Sequence, residues 1–169
     1  MLSFDIRSLS SHAVVVDDTL SPDDAVWEEG DPMPSGPIRV TGRLSPAGSS
    51  HYYWHGRIEG DAELPCRRCL ADTTVHVKDD AQIIFVEDGV EEAEDPDVYV
   101  VDSHASELDL RPALREEWLL SAPTFALCRE ECRGLCPSCG ADLNAEQCDC
   151  ASAADARWEA LRKSAPKSD

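Results

Sequence analysis

Apolar and polar residues alternate from Ile38 to Leu44. Ile38, Val40, Gly42 and Leu44 interleave with Arg39, Thr41 and Arg43, the two-residue period of a strand with one buried face. Turn chemistry follows at residues 45–50, and the stretch from His51 to Leu64 sets Tyr52, Trp54 and Ile58 on one face. Beyond a corner at residues 65–69, Thr73, Val75 and Val77 alternate, and Ile83 to Val86 form a short run rich in branched residues, so both read as strands. Ala13 to Val16 predict a strand near the start, and Val98 to Val101 an edge strand. Together these give a mostly antiparallel sheet of about four to six strands.

The period changes to four at Leu110, Leu114 and Trp118. With Pro112 suited to a first helical turn and Pro123 closing the segment, a helix over residues 111–121 covers one face of the sheet. Trp158 and Leu161 mark a short helix from about Asp155 to Lys163 that must dock on something. The expected fold is α+β: an antiparallel sheet covered by a helix in residues 1–127, then a small Cys-rich zinc-binding module with a terminal helix in residues 128–169.

Charge sharpens this division. The chain of 169 residues carries 34 Asp and Glu against 15 Lys and Arg, a formal net charge of −19. Residues 1–110 hold 24 of the acids and only 7 of the bases. The densest run, Glu87 to Asp97, has seven acids and no base, which self-repels and reads as a solvated loop. Such an imbalance excludes a general coat for a phosphate backbone, because repulsion replaces the counterion-release gain. No basic n-region precedes an apolar run at the N-terminus and no apolar stretch approaches membrane-spanning length, so a cytoplasmic protein without a membrane partner is expected.

Eight cysteines are the main chemical signal. Cys128, Cys132, Cys136, Cys139, Cys148 and Cys150 fall within 23 residues. In a reducing compartment, thiols so gathered are metal ligands rather than a disulfide framework. Cys136-Pro-Ser-Cys139-Gly140 is a Cys-x2-Cys knuckle, whose two intervening residues let both sulfurs face one ion. Cys148 returns from the following loop, and Cys128, Cys132 or Cys150 completes a tetrahedron. One structural zinc ion is expected, with a bridged pair of ions among the six thiols as the alternative. The five histidines, His12, His51, His55, His76 and His104, all lie earlier in the chain and read as ordinary surface or packing side chains.

Cys66-Arg-Arg-Cys69 is a second Cys-x2-Cys. It reads foremost as a packed strand corner with two buried thiols; a redox pair and a contribution to the C-terminal zinc are the other options. Arg67 and Arg68 either hold a phosphate or pair with Asp61, Glu63 and Asp72, the pairing being favoured. Arg129 and Arg133, four apart on a possible helical turn, face the same choice with Glu130 and Glu131. There is no P-loop, GxGxxG, GxSxG or HExxH, and acids in an unstructured solvated run offer no way to separate their pKa values, so neither enzymatic activity nor a small-molecule substrate is expected.

The corner Leu64-Pro-Cys66-Arg-Arg-Cys69-Leu70, the helix segment Asp109 to Glu116, the run Cys128 to Asn144 and the final Cys148-Asp-Cys150 together resemble the YceD family, the large ribosomal RNA subunit accumulation proteins. The resemblance covers roughly residues 35–163. It implies a bacterial cytoplasmic factor in ribosome biogenesis, needed for accumulation or processing of large-subunit ribosomal RNA, with plastid relatives in plants and no established catalytic activity. The implied partners are a large-subunit precursor, a ribosomal protein or ribosomal RNA. Some relatives lack the C-terminal cysteines, which turns attention to the corner of Cys66, Arg67, Arg68, Cys69 and Leu70, with Arg129 and Arg133, as the partner or RNA contact. An acidic face matches a basic ribosomal protein best. Two rival functions are a zinc-ribbon factor binding nucleic acid or acting in transcription, and a thiol redox or metal-handling protein.

Overall fold

The computed structural model describes residues 1–150. Strand β1 (Ser3–Asp5) and the single turn α1 (Ile6–Leu9) lead into β2 (Val14–Leu20). After a long connection come β3 (Ile38–Pro46), β4 (His51–Pro65) and β5 (Asp72–Glu87). A 3-10 turn at Glu91–Glu94 precedes β6 (Tyr99–Val101), β7 (Glu107–Asp109) and helix α2 (Arg111–Ser121). The main sheet has five strands in the order β2-β3-β4-β5-β6, antiparallel except for the parallel β5–β6 edge. A separate pair, β1 with β7, brings the start of the chain against the strand that precedes α2. The helix expected at residues 155–163 lies outside the described residues.

Binary patterning accounts for the core. Val40, Leu44, Tyr52, Trp54, Ile58, Ala81, Ile83 and Phe85 project from one face of the sheet, and Leu110, just before α2, closes over it with Ala113, Leu114 and Trp118 of the helix. The two strands expected at Thr73–Val77 and Ile83–Val86 are one: β5 runs unbroken and pairs with β4 from His51↔Val86 to Pro65↔Asp72. Asp79 and Asp80 look like strand breakers in sequence, but each has a partner. Asp80 receives two hydrogen bonds from Arg57 across the strands, at 2.7 and 2.9 Å. Asp79, turned inward, accepts one from Ser121 of α2 at 2.6 Å. The acidic run 87–97 is mostly exposed, as expected for a self-repelling segment.

The connection between β2 and β3 straps α2 in place. Arg115 grips Asp31 with two hydrogen bonds of 2.7 and 2.9 Å, and Trp118 Nε1 donates to the Pro32 carbonyl at 2.8 Å. The guanidinium of Arg115 holds the Asp31 carboxyl below its ordinary range.

Glycines at facing positions make room for Trp54 beneath the sheet. A Cβ on Gly56 would stand 2.3 Å from the Thr41 carbonyl oxygen and 2.4 Å from the Trp54 ring, neither of which can yield cheaply. Gly56→Ala is therefore expected to lower stability by about 1–3 kcal/mol through overpacking. Urea unfolding checks this, and a midpoint equal to that of the unaltered protein would contradict it.

Candidate metal centre

The hairpin of β4 and β5 closes through Cys66 to Ala71. Cys66 N donates to Ala71 O and Leu70 N to Cys66 O, both at 2.8 Å. The knuckle at Cys136 to Ala141 repeats the pattern, with Cys136 N to Ala141 O at 2.8 Å and Gly140 N to Cys136 O at 2.9 Å. Both need a left-handed residue after the second cysteine. Gly140 supplies it at φ +76°, whereas the first knuckle holds Leu70 at φ +61°, a conformation glycine adopts with far less strain.

Each knuckle gathers two further thiols. Cys66, Cys69, Cys128 and Cys132 form one group and Cys136, Cys139, Cys148 and Cys150 the other, the sulfurs of each lying within 4.8 Å of one another. Either group could hold a metal ion. In the first, Cys66 and Cys132 sulfurs are 3.8 Å apart and those of Cys69 and Cys128 are 3.6 Å apart. A disulfide needs about 2.05 Å. Sulfurs at about 2.3 Å around a tetrahedral zinc stand about 3.8 Å from each other, so the observed spacing matches four-coordination.

The local electrostatics also suit a cation. Backbone amides of Cys128, Cys69 and Arg68 point at Cys66 and bring its thiol down to about 6. Amides of Cys139 and Ser138 bring Cys136 to about 6 as well, the latter donating to the sulfur at 3.4 Å. Neighbouring thiols then resist ionising. Burial and hydrogen bonding with Cys132 push Cys128 up to about 12, and a hydrogen bond with Cys139, with burial, pushes Cys150 up to about 12. A thiophilic divalent cation removes the conflict, because it favours thiolates and offsets their mutual repulsion.

The sequence grouped the six C-terminal thiols around one ion or one bridged pair and read Cys66 and Cys69 foremost as a packed corner, with a contribution to that zinc as an option. In the structure Cys128 and Cys132 stand with Cys66 and Cys69 instead, and no sulfur is shared between the groups. The reason is topological: residues 126–135 run alongside the β4–β5 turn. Cys66 and Ala126 form a parallel bridge, Arg67 N donates to Ala126 O at 2.9 Å, and Leu135 N donates to Arg68 O at 3.0 Å. Gly134 permits the approach. Its φ is +76°, and a Cβ there would meet the Arg68 carbonyl oxygen at 2.8 Å.

The arginines also differ from expectation. Arg68 forms no ion pair with Asp61, Glu63 or Asp72; its guanidinium donates to the carbonyls of Glu130 and Cys132 at 3.0 and 2.9 Å. Arg67 lies over the ring of Phe125 at 5.8 Å. Arg129 and Arg133 lie outside any helix or strand, on either side of the turn closed by Cys132 N donating to Arg129 O at 3.1 Å. None of the five histidines joins either cysteine group; His76 lies against Asp61 and Glu59 on the sheet.

Sequence reasoning missed Phe125, Gly134 and Asn144. Asn144 accepts from Arg133 N at 2.8 Å and directs its amide to Cys132 Sγ at 3.5 Å, linking the loop of the second group to the first. One signal was available: two Cys-x2-Cys turns, each lacking two ligands, with four cysteines left over.

Residues 54–163 match the family model described as large ribosomal RNA subunit accumulation protein YceD. The chain belongs to the YceD family. The match takes in all eight cysteines, most of β4, and everything from the corner to the second knuckle, so the YceD signature and the two cysteine groups coincide. No curated protein and no solved structure matches the chain. No helix among the described residues is long and apolar enough to cross a membrane.

Proposed function

We propose that this YceD protein is a non-enzymatic, cytoplasmic factor for accumulation and processing of large-subunit ribosomal RNA. It acts as an adaptor on a large-subunit precursor or a basic ribosomal protein. The family match carries the reading. Charge supports the mode of action: a chain of net −19 is steered towards a basic protein and away from bare RNA. Zinc is the metal that suits four thiolates, and in the Cys136, Cys139, Cys148 and Cys150 group it acts as a structural ion that orders the C-terminal module.

The partner surface is the corner of the β4–β5 turn. Leu70 and Phe125 are 64% and 67% exposed, large apolar side chains for a surface position, and Arg67 lies over the Phe125 ring. Leu70 keeps a backbone conformation that costs on the order of 1–2 kcal/mol for a residue with a Cβ. Holding a leucine there, outward, is understandable if its side chain meets a partner. Arg129, which lines a hollow with Cys69 and Cys128, and Arg133 complete the proposed contact.

Leu70→Gly is expected to leave the thermal midpoint unchanged or raised while weakening partner capture, and Phe125→Ala to weaken capture without loss of fold. Affinity capture from lysate at moderate salt should bring down identified large-subunit precursors or a large-subunit ribosomal protein. Depletion should lower the ratio of large- to small-subunit RNA. An unchanged ratio without precursor build-up would overturn the proposal, and equal capture by both variants would remove the corner from it.

A further inference from the structure

We infer that Cys66, Cys69, Cys128 and Cys132 bind a second thiophilic metal ion, separate from that of the C-terminal module, and that this ion clasps the β4–β5 turn to the segment following α2. The inference extends the reading of the module as a zinc site but uses different ligands.

Three observations carry it. Four thiols drawn from two distant stretches converge within 4.8 Å of one another, with Cys66 and Cys132 sulfurs 3.8 Å apart and those of Cys69 and Cys128 3.6 Å apart, too far for disulfides and suited to a tetrahedron. The turn at Cys66 has the hydrogen-bond pattern of the Cys136 knuckle down to the left-handed fifth residue, although it joins two strands of a sheet. Last, polar donors rather than apolar side chains are directed at the sulfurs and at the segment that carries them. Asn144 points its amide at Cys132 Sγ at 3.5 Å, and Arg68 fixes the carbonyls of Glu130 and Cys132. Thiols serving as core filler need none of these.

The two sites have different reach. The module's ligands lie within one short stretch, so its ion can order that stretch alone. The clasp's ligands stand on either side of β5, β6, β7 and α2, so its ion forms only when the sheet corner and the C-terminal segment meet. It thereby sets Phe125 against Arg67 and fixes the proposed partner corner.

The test is metal stoichiometry on the full-length protein, prepared reduced and metal-free, loaded with zinc and, in parallel, with cobalt(II) to report tetrahedral thiolate coordination. By four-ligand logic, about two ions per chain are expected. Cys66→Ser and Cys128→Ser, one on the sheet corner and one on the exposed segment, should each hold about one, and Cys136→Ser should also hold about one. Hydrogen exchange on Cys128→Ser should show residues 66–70 and 126–135 losing protection while β2 to β4 keep theirs. A single ion that survives Cys66→Ser and Cys128→Ser overturns the clasp and leaves the module reading standing. A single ion lost in those variants but kept in Cys136→Ser supports the clasp and overturns the module. No bound metal in the unaltered protein, or two ions in both clasp variants, overturns the inference.

Discussion

Removing the ions proposed for the two cysteine groups with a chelator is expected to free residues 128–150 while the five-stranded sheet stays folded. Cys132 and Cys136 are the only apolar side chains buried in that stretch, and apart from one isolated bridge it contains no helix or strand. So little packing leaves coordination, on the proposed reading, to order it. Structural zinc contributes about 10–16 kcal/mol in small finger peptides, far more than such a segment draws from its own packing. The sheet has its own core, centred on Trp54, Leu44, Ile58 and Trp118, which includes no cysteine. Hydrogen exchange resolved by segment should show protection disappearing across 128–150 and persisting in β2 to β4. Far-UV circular dichroism should hardly move. Persistent protection of 128–150 in the metal-free protein would mean that packing, not metal, shapes the module.

Trp118→Ala should be the most damaging single change in the sheet domain, with a loss of about 3–5 kcal/mol. Trp118 is fully buried, lies under Gly60 and donates its indole N–H to the Pro32 carbonyl. Truncation opens a cavity between α2 and the sheet and also releases the connection that straps the helix. For a chain of this length the melting temperature should fall by on the order of 10 °C. Trp118→Phe separates the two contributions: it keeps most of the volume and loses the hydrogen bond, so a smaller loss of about 1–2 kcal/mol is expected. Thermal and urea unfolding measure both. If alanine costs no more than phenylalanine, ring packing is not what seats α2.

Local patterning was a sound guide where the physics is local. The alternation at Ile38 to Leu44 and Tyr52 to Ile58 became β3 and β4, and the spacing of Leu110, Leu114 and Trp118 became the buried stripe of α2. It failed where a partner from elsewhere overrode it. The alternation at Thr73 to Val77 and the run Ile83 to Val86 read as separate strands, but Ser121 and Arg57 satisfy Asp79 and Asp80 between them and β5 runs through. The pair β1–β7 was illegible because three residues on each side carry no period of their own.

The cysteines divide along the same line. From the sequence alone come their number, two Cys-x2-Cys turns, the separation of acidity from the thiol-rich end, and with these the family. Only the tertiary structure decided which thiols meet. A knuckle is a property of four consecutive residues, but its remaining ligands can come from any distance. Here the approach of residues 126–135 to the β4–β5 turn, permitted by Gly134 and held by Arg68, assigns Cys128 and Cys132 to Cys66 and Cys69 and turns one expected cluster into two.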